Sequence, residues 1–273
     1  MPARAWRRTI ARVTASLYEQ PALYRMLFDA WTADVPFYRA LAERQAGEIL
    51  ECGIGAGRLA LSLARAGHRV HGVDLDASML GNLATRIAEE PPEVRSRVTF
   101  ERNDVKTMRL GRTFPLVIAP FNGIAHQHLR QDLVAFLEGV RAHLSPSGLF
   151  AFDLWIPDPR LMMGSAADSP RFRDPRTGTP TRCTERQRYD AISQVLTVEL
   201  ELTSIEREDA PERLTLSLRQ LFPEETRILV EGQGFEVLFR TSCFAPMVEG
   251  ARCLEEERDD ERGEMLAWVC RAR

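Results

Sequence analysis

The order of strand-like and helix-like segments predicts an α/β protein. It should have a mostly parallel sheet with helices on both faces, a helical N-terminal lid and an antiparallel β cap inserted after strand five. Three observations carry this. Five short apolar runs alternate with helical stretches between Glu48 and Leu154, the spacing of right-handed βαβ units. Those runs are apolar at nearly every position, as parallel strands covered on both faces must be. After Asp153 the pattern switches to residue-by-residue alternation, which belongs to a half-solvated antiparallel sheet.

Each element follows from its residues. Between Ile10 and Arg44 the apolar residues Val13, Leu17, Leu23, Leu27 and Trp31 keep helical spacing, and Pro21 and Pro36 divide the segment into two or three lid helices. Glu48–Cys52 reads as the first strand, Arg69–Asp74 as the second, Val98–Arg102 as the third, Pro115–Ala119 as the fourth and Leu149–Leu154 as the fifth. Helices are expected at Leu59–Ala66, ended by Gly67, at Ala77–Glu89, and at Leu129–Leu144, closed by Ser145-Pro146-Ser147-Gly148. Pro157–Pro180 has a loop composition. Thr181–Tyr189, Val195–Ile205 and Leu214–Phe222 are the cap strands, with Asp190–Ser193 and Arg207–Glu212 as hairpin connections. Pro223 opens a helix to about Gln233, with Glu224 and Glu225 well placed in its first turn. Gly234–Phe239 and Met265–Cys270 are late strands, and Glu255–Glu264 is a charge run that suits a solvated loop. The expected units are 1–153 (lid and core), 154–222 (cap) and 223–273 (a helix and strands completing the core).

Composition narrows the function. The 273 residues are 44% hydrophobic and 27% charged, as in ordinary globular proteins, and no apolar run approaches a membrane span. A net charge of −3 gives no basic field for nucleic acid. Cys52, Cys183, Cys243, Cys253 and Cys270 are odd in number with no CxxC pair, which argues against a disulfide framework or zinc site and for a reducing, cytoplasmic setting. The first eighteen residues hold Arg4, Arg7, Arg8 and Arg12 and no acid, a pattern shared by a mitochondrial transit peptide and a basic amphipathic helix.

The strongest chemical signal is Glu51-Cys52-Gly53-Ile54-Gly55-Ala56-Gly57-Arg58, between a strand and a helix. Glycines there let the backbone turn tightly and approach a ligand. Asp74 follows about 20 residues on, the interval at which a carboxylate reaches a ribose diol. The glycine spacing is not that of a dinucleotide fingerprint. An acid at Glu51 would repel a pyrophosphate but suits a ligand bearing an ammonium and a sulfonium.

This turn resembles motif I of class I S-adenosylmethionine (SAM)-dependent methyltransferases, which implies a Rossmann-like sheet. The resemblance continues at Asp74, similar to the family's ribose-binding acid, and at Asn103-Asp104-Val105, similar to its adenine loop. Pro120-Phe121-Asn122 resembles the segment beside the methyl-transfer centre. Phe121–His126, Leu144–Gly148 and Phe152-Asp153 resemble bacterial small-molecule members, similar to glycine/sarcosine and amino-sugar N-methyltransferases. Arg219–Pro223 and Gly234-Phe235 fit the same group. No Asp/Asn-Pro-Pro-Tyr motif follows strand four, and no metal constellation appears.

The resemblance implies SAM as cofactor, S-adenosylhomocysteine (SAH) as product and a small-molecule acceptor, with no nucleic-acid or membrane partner. Expected cofactor contacts are Tyr24, Glu51, Cys52, Gly53, Gly55, Arg58, Asp74, Leu75, Met79, Asn103, Asp104, Val105, Pro120, Phe121 and Asn122. Arg39 or Arg58 could pair with the methionyl carboxylate. His126 is the first candidate base, with a shell or helix-start role as its alternative. Tyr18 is the second catalytic candidate; it and Tyr24 lie near the sulfonium or pack in the lid. His128, Trp155, Tyr189 and Arg219 border the acceptor, or else join cap to core. Exposed cap edges suggest a homodimer. A non-catalytic SAM- or nucleoside-binding module and a protein or nucleic-acid methyltransferase are the competing readings.

Overall fold

The computed structural model describes residues 15–164, 166–168, 171–206, 210–242, 244 and 264–273. The arginine-rich start, Val13, Cys243, Cys253, Arg207–Asp209 and the charge run as far as Gly263 lie outside the described residues.

Five parallel strands form the centre: β1 (Glu48–Cys52), β2 (Arg69–Asp74), β3 (Val98–Arg102), β4 (Phe114–Ala119) and β5 (Leu144–Trp155). The cap follows with β6 (Pro180–Asp190), β7 (Val195–Ser204) and β8 (Glu212–Arg219), and the core closes with β9 (Phe235–Thr241) and β10 (Met265–Ala272). The main sheet runs β9-β10-β5-β4-β1-β2-β3, with β10 antiparallel to both neighbours. This is the expected Rossmann-like architecture. Alternate residues of each central strand enter different cores. Leu50, Val117, Phe150 and Phe152 pack with α4 (Arg130–Ala142) on one face, while Ile49, Leu116, Ile118 and Ala151 pack with α2 (Val35–Arg44) and α3 (Arg58–Arg65) on the other. Burial on both faces is why these strands read as unbroken apolar runs. β5 begins at Leu144, so Ser145–Gly148, expected as a helix stop, lies within the strand.

The cap is an antiparallel sheet whose alternation has the expected cause. Val198, Leu200 and Leu202 face inward with Leu214, Leu216 and Leu218, and join the core that holds Leu17 and Ile124. The lid differs from the helical expectation. Ala15–Ser16 is a short strand that pairs in parallel with Leu214–Thr215 of β8. A 3-10 turn at Leu17–Glu19 follows, then α1 (Pro21–Phe28) and α2. Helical spacing of apolar residues across Pro21 concealed this strand, since two residues are too few to show a period of two. Pro157–Pro180, read as loop, carries short strands at Ala166–Asp168 and Phe172–Arg173 that pair with β6.

Candidate active site

In an open sheet of this order, the crevice forms at the carboxyl ends of the strands where the chain reverses direction of winding, here between β1 and β4. A cleft of about 380 Å³ lies there. Its floor is the glycine turn. Gly53 and Gly55 have φ of +78° and +54°, and a Cβ on Gly53 would project into open space. The turn is locked from behind: Gly53 N and Ile54 N both donate to Val73 O. Asp74 completes the lock, its Oδ2 accepting from Gly55 N and its Oδ1 from Asp76 N, each at 2.8 Å. Burial raises the Asp74 carboxyl, and these backbone bonds oppose that rise.

The predicted residues divide into three groups. Tyr18, Cys52, Gly53, Asp74, Leu75, Met79, Asn103, Asp104, Val105, Pro120, Phe121 and His126 all line the cleft. Asn103 Oδ1 accepts from Asp104 N, and Asp104 Oδ1 accepts from Lys106 N, so this loop is built by its own side chains.

Glu51 and Tyr24 stand one layer back. Tyr24 packs between Tyr18 and Phe28 with ring centroids 5.4 and 4.8 Å away. Glu51 is 2% exposed, and its Oε2 is buried without a hydrogen-bond partner. Burial pushes its carboxyl up to about 8, against the opposing pull of Arg58.

The third group requires correction. Arg58 does not line the cleft: it clamps buried Asp34 through Nη1 and Nη2 at 2.7 and 2.5 Å and also donates to Trp31 O. A charge this well paired has little left for a carboxylate ligand. Arg39 is exposed and paired with Glu43. Asn122 is buried, its Oδ1 accepting from Trp155 N at 2.7 Å, so both residues join β5 to the post-β4 turn. His128 Nε2 donates to Ser217 O, and Arg219 donates to His128 O and Gln194 Oε1. Tyr189 shares the inner cap face with Leu196, away from the cleft lining.

Several contributors were not foreseen. Ser16, Asp76, Gly123, Gln127 and Phe136 also line the cleft. Phe121 and Asn122 are consecutive left-handed residues, φ +53° and +63°, a conformation that costs non-glycine residues roughly 1–3 kcal/mol each. Asp153 holds them there. Its Oδ2 accepts from Tyr38 OH at 2.6 Å and Phe121 N at 2.9 Å, and its Oδ1 from Asn122 N at 3.3 Å. Burial pushes the Asp153 carboxyl up to about 6 despite these donors. The only sequence signal for this is an acid inside the apolar run Leu149–Leu154.

Above the cleft, the Tyr18 hydroxyl and His126 Nε2 share a hydrogen bond of 3.2 Å, with the rings edge to face at 5.2 Å. Burial, helped by neighbouring His128, lowers the His126 imidazole to about 4, against a hydrogen bond to the Ser217 backbone that raises it. Burial also raises the Tyr18 hydroxyl. The pair is neutral. Among the described residues no cluster of three metal-ligating side chains occurs, and no helix is long and apolar enough to cross a membrane.

Comparison with known proteins agrees with this geometry. Residues 49–148 match the model of a methyltransferase domain family. YqeM of Bacillus subtilis (strain 168), provisionally described as a methyltransferase, is 24% identical over 141 residues, covering 51% of this chain and 53% of YqeM. The matched part thus spans about half the length of that curated relative. The CcbJ methyltransferase from Streptomyces caelestis superposes with a TM-score of 0.71 at 23% identity, covering 90% of this chain and 98% of CcbJ. SAM-bound CalS10, an amino pentose methyltransferase from Micromonospora echinaspora, gives 0.66 at 22% identity, covering 95% and 98%. At these identities the superpositions speak for the fold. Residues 49–148 thus carry the match to a methyltransferase domain, within a fold shared with both solved methyltransferases.

Proposed function

We propose that this chain transfers a methyl group from SAM to a nitrogen or oxygen of a small-molecule acceptor. The observation that carries the reading is the fit of the cleft to a cationic cofactor. Arg58 is bonded to Asp34, which leaves Glu51 and Asp153 buried with no cation bonded to either among the described residues. Buried acids of this kind call for a positive partner. The orphaned Glu51 Oε2 and the open space over Gly53 suit the ammonium end of the ligand. Asp74 would hold the ribose diol, and Leu75, Met79 and Asn103–Val105 the adenine.

SAM supplies a methyl group already bonded to a good leaving group, so positioning provides much of the acceleration. The chain's task is to hold an acceptor atom in line and to exclude water. The Ala15–Phe28 segment, which brings Ser16 and Tyr18 to the cleft, serves this purpose. His126 serves this reading as a neutral hydrogen-bonding group on the rim. An imidazole held near 4 is a weak base, which favours an acceptor that arrives as a neutral amine; the amino pentose named for CalS10 supports the same side. A cytoplasmic enzyme that pairs through cap edges belongs to the same reading, and gel filtration giving a monomer at high concentration would remove the dimer from it.

The test is incubation with SAM and a panel of amines, amino sugars and phenols, followed by mass spectrometry for SAH and a methylated product. Product from a small amine or hydroxyl supports the reading. SAH formed only with protein or nucleic acid would overturn it.

A further inference from the structure

The Tyr18–His126 pair joins residues 108 positions apart. Tyr18 sits in a 3-10 turn, and His126 ends another at Gly123–His126. One strand of the cap touches both. On the Tyr18 side, Ala15 and Ser16 pair with Leu214 and Thr215 of β8, and Ser16 Oγ then accepts from Tyr18 N at 3.3 Å. On the His126 side, Ser217 of β8 accepts from His128 Nε2 at 3.0 Å, and Arg219, the last residue of β8, donates through Nη1 to His128 O at 3.0 Å. Arg219 is itself fixed from below by Gln194 at 2.8 Å and Glu225 at 3.4 Å.

From this geometry we infer that β8 is the common anchor that assembles the Tyr18–His126 pair over the cleft, with Arg219 as the positioning residue that fixes the His126 turn. The inference rests on the methyl-transfer reading for its purpose, but not for its geometry. Arg219 touches neither the cleft nor the pair. It acts through the His128 carbonyl, two residues from His126. Its planar fork reaches that carbonyl through one nitrogen and the Gln194 and Glu225 side chains through the other, a split that a lysine ammonium cannot hold in a fixed geometry. The cap thereby sets the shape of the rim through β8.

The experiment uses the full chain and needs no acceptor. Amide hydrogen exchange is followed at Gly123, Ala125 and Gln127, whose N–H groups bond to Pro120 O, Asn122 O and Ile124 O. The His126 ring nitrogens are read by NMR, assignable among five histidines. Arg219→Ala should raise exchange at these three amides about tenfold and move the His126 Nε2 resonance toward that of a free imidazole, while β1 to β3 keep their protection. Arg219→Lys should fall between, and it carries the test if the alanine variant does not fold. Tyr18→Phe should shift the His126 resonance but leave the three amides protected. Unchanged amides and an unchanged His126 signal in a folded Arg219 variant would overturn the inference. A uniform rise in exchange across the main sheet would also overturn it, since that marks a merely structural role. Calorimetry of SAH with the unsubstituted chain separates the two failures: absence of SAH binding would sink the methyl-transfer reading and leave the exchange result standing.

Discussion

Removing the Asp74 carboxylate should weaken SAM binding much more than it weakens the fold. In the structure each oxygen already accepts one backbone N–H at 2.8 Å, from Gly55 and Asp76. A hydrogen bond to a charged group contributes about 1.5–3 kcal/mol. Losing two such bonds is partly offset in the Asp74→Ala variant, because burying this carboxylate is itself unfavourable, as its raised pKa shows. The net folding cost should be about 1–2 kcal/mol, a fall of roughly 2–8 °C in Tm for a chain of this size. Two ribose hydroxyls donating to the same group would add about 2–4 kcal/mol to binding once this sharing is discounted. Kd for SAM should therefore rise about 30- to 1000-fold. Isothermal titration calorimetry on folded protein reads the affinity, and thermal unfolding reads the stability. A folded Asp74→Ala variant whose SAM affinity stays within about threefold of the unsubstituted chain would mean that Asp74 does not hold the ribose.

Further outcomes follow from the same geometry at Glu51, Asp153 and His126. The folded Glu51 carboxyl, at about 8, lies above its ordinary 4.5. Its contribution to stability is full below 4.5 and is lost as pH rises to 8, so urea titrations from pH 5 to about 8.5 should slope downward more in the unsubstituted chain than in Glu51→Gln; equal slopes would contradict the assignment. Binding an ammonium beside Glu51 at pH 7 should also release about one proton, seen by calorimetry in buffers of different ionisation enthalpy and absent in Glu51→Gln. Asp153→Asn leaves Tyr38, Phe121 and Asn122 competing for one acceptor and should cost about 2–4 kcal/mol in urea unfolding; a loss under about 0.5 kcal/mol, the level of a surface change, would mean the left-handed pair holds itself. His126→Ala should lower turnover more than SAM affinity. The unsubstituted pH–rate profile should show no inflection near 6.5 from this imidazole, because burial keeps it neutral above about 4; an inflection there that disappears in His126→Ala would show it titrating as a base.

The parts of the molecule with regular periods were legible from residues alone. β1 to β5, the cap strands and the helices at Arg58–Arg65 and Ala77–Glu89 follow from burial on one or both faces, which composition records directly. The glycine turn and Asp74 were legible because backbone conformation and a strand-end acid restrict residue choice. What escaped depended on long-range pairing. Ala15–Ser16 is a strand only because Leu214–Thr215 offers an edge. Arg58 was assigned to a ligand carboxylate because nothing near it in the chain reveals Asp34, 24 positions away. Arg219 and His128 have the chemistry of binding residues, yet each is consumed by a backbone carbonyl across the cap–core junction. Asp153 was noted within a Phe-Asp pair, but its work of holding a left-handed turn 31 and 32 residues earlier appears only in three dimensions.

The measurement that bears most directly on the account is a crystal structure of the chain with SAH. The ribose should lie on Asp74, the adenine beside Asp104 and Leu75, the amino group toward Glu51, and the sulfur facing the rim formed by Tyr18 and His126. SAH bound with its ribose away from Asp74, or outside the cleft between β1 and β4, would contradict it.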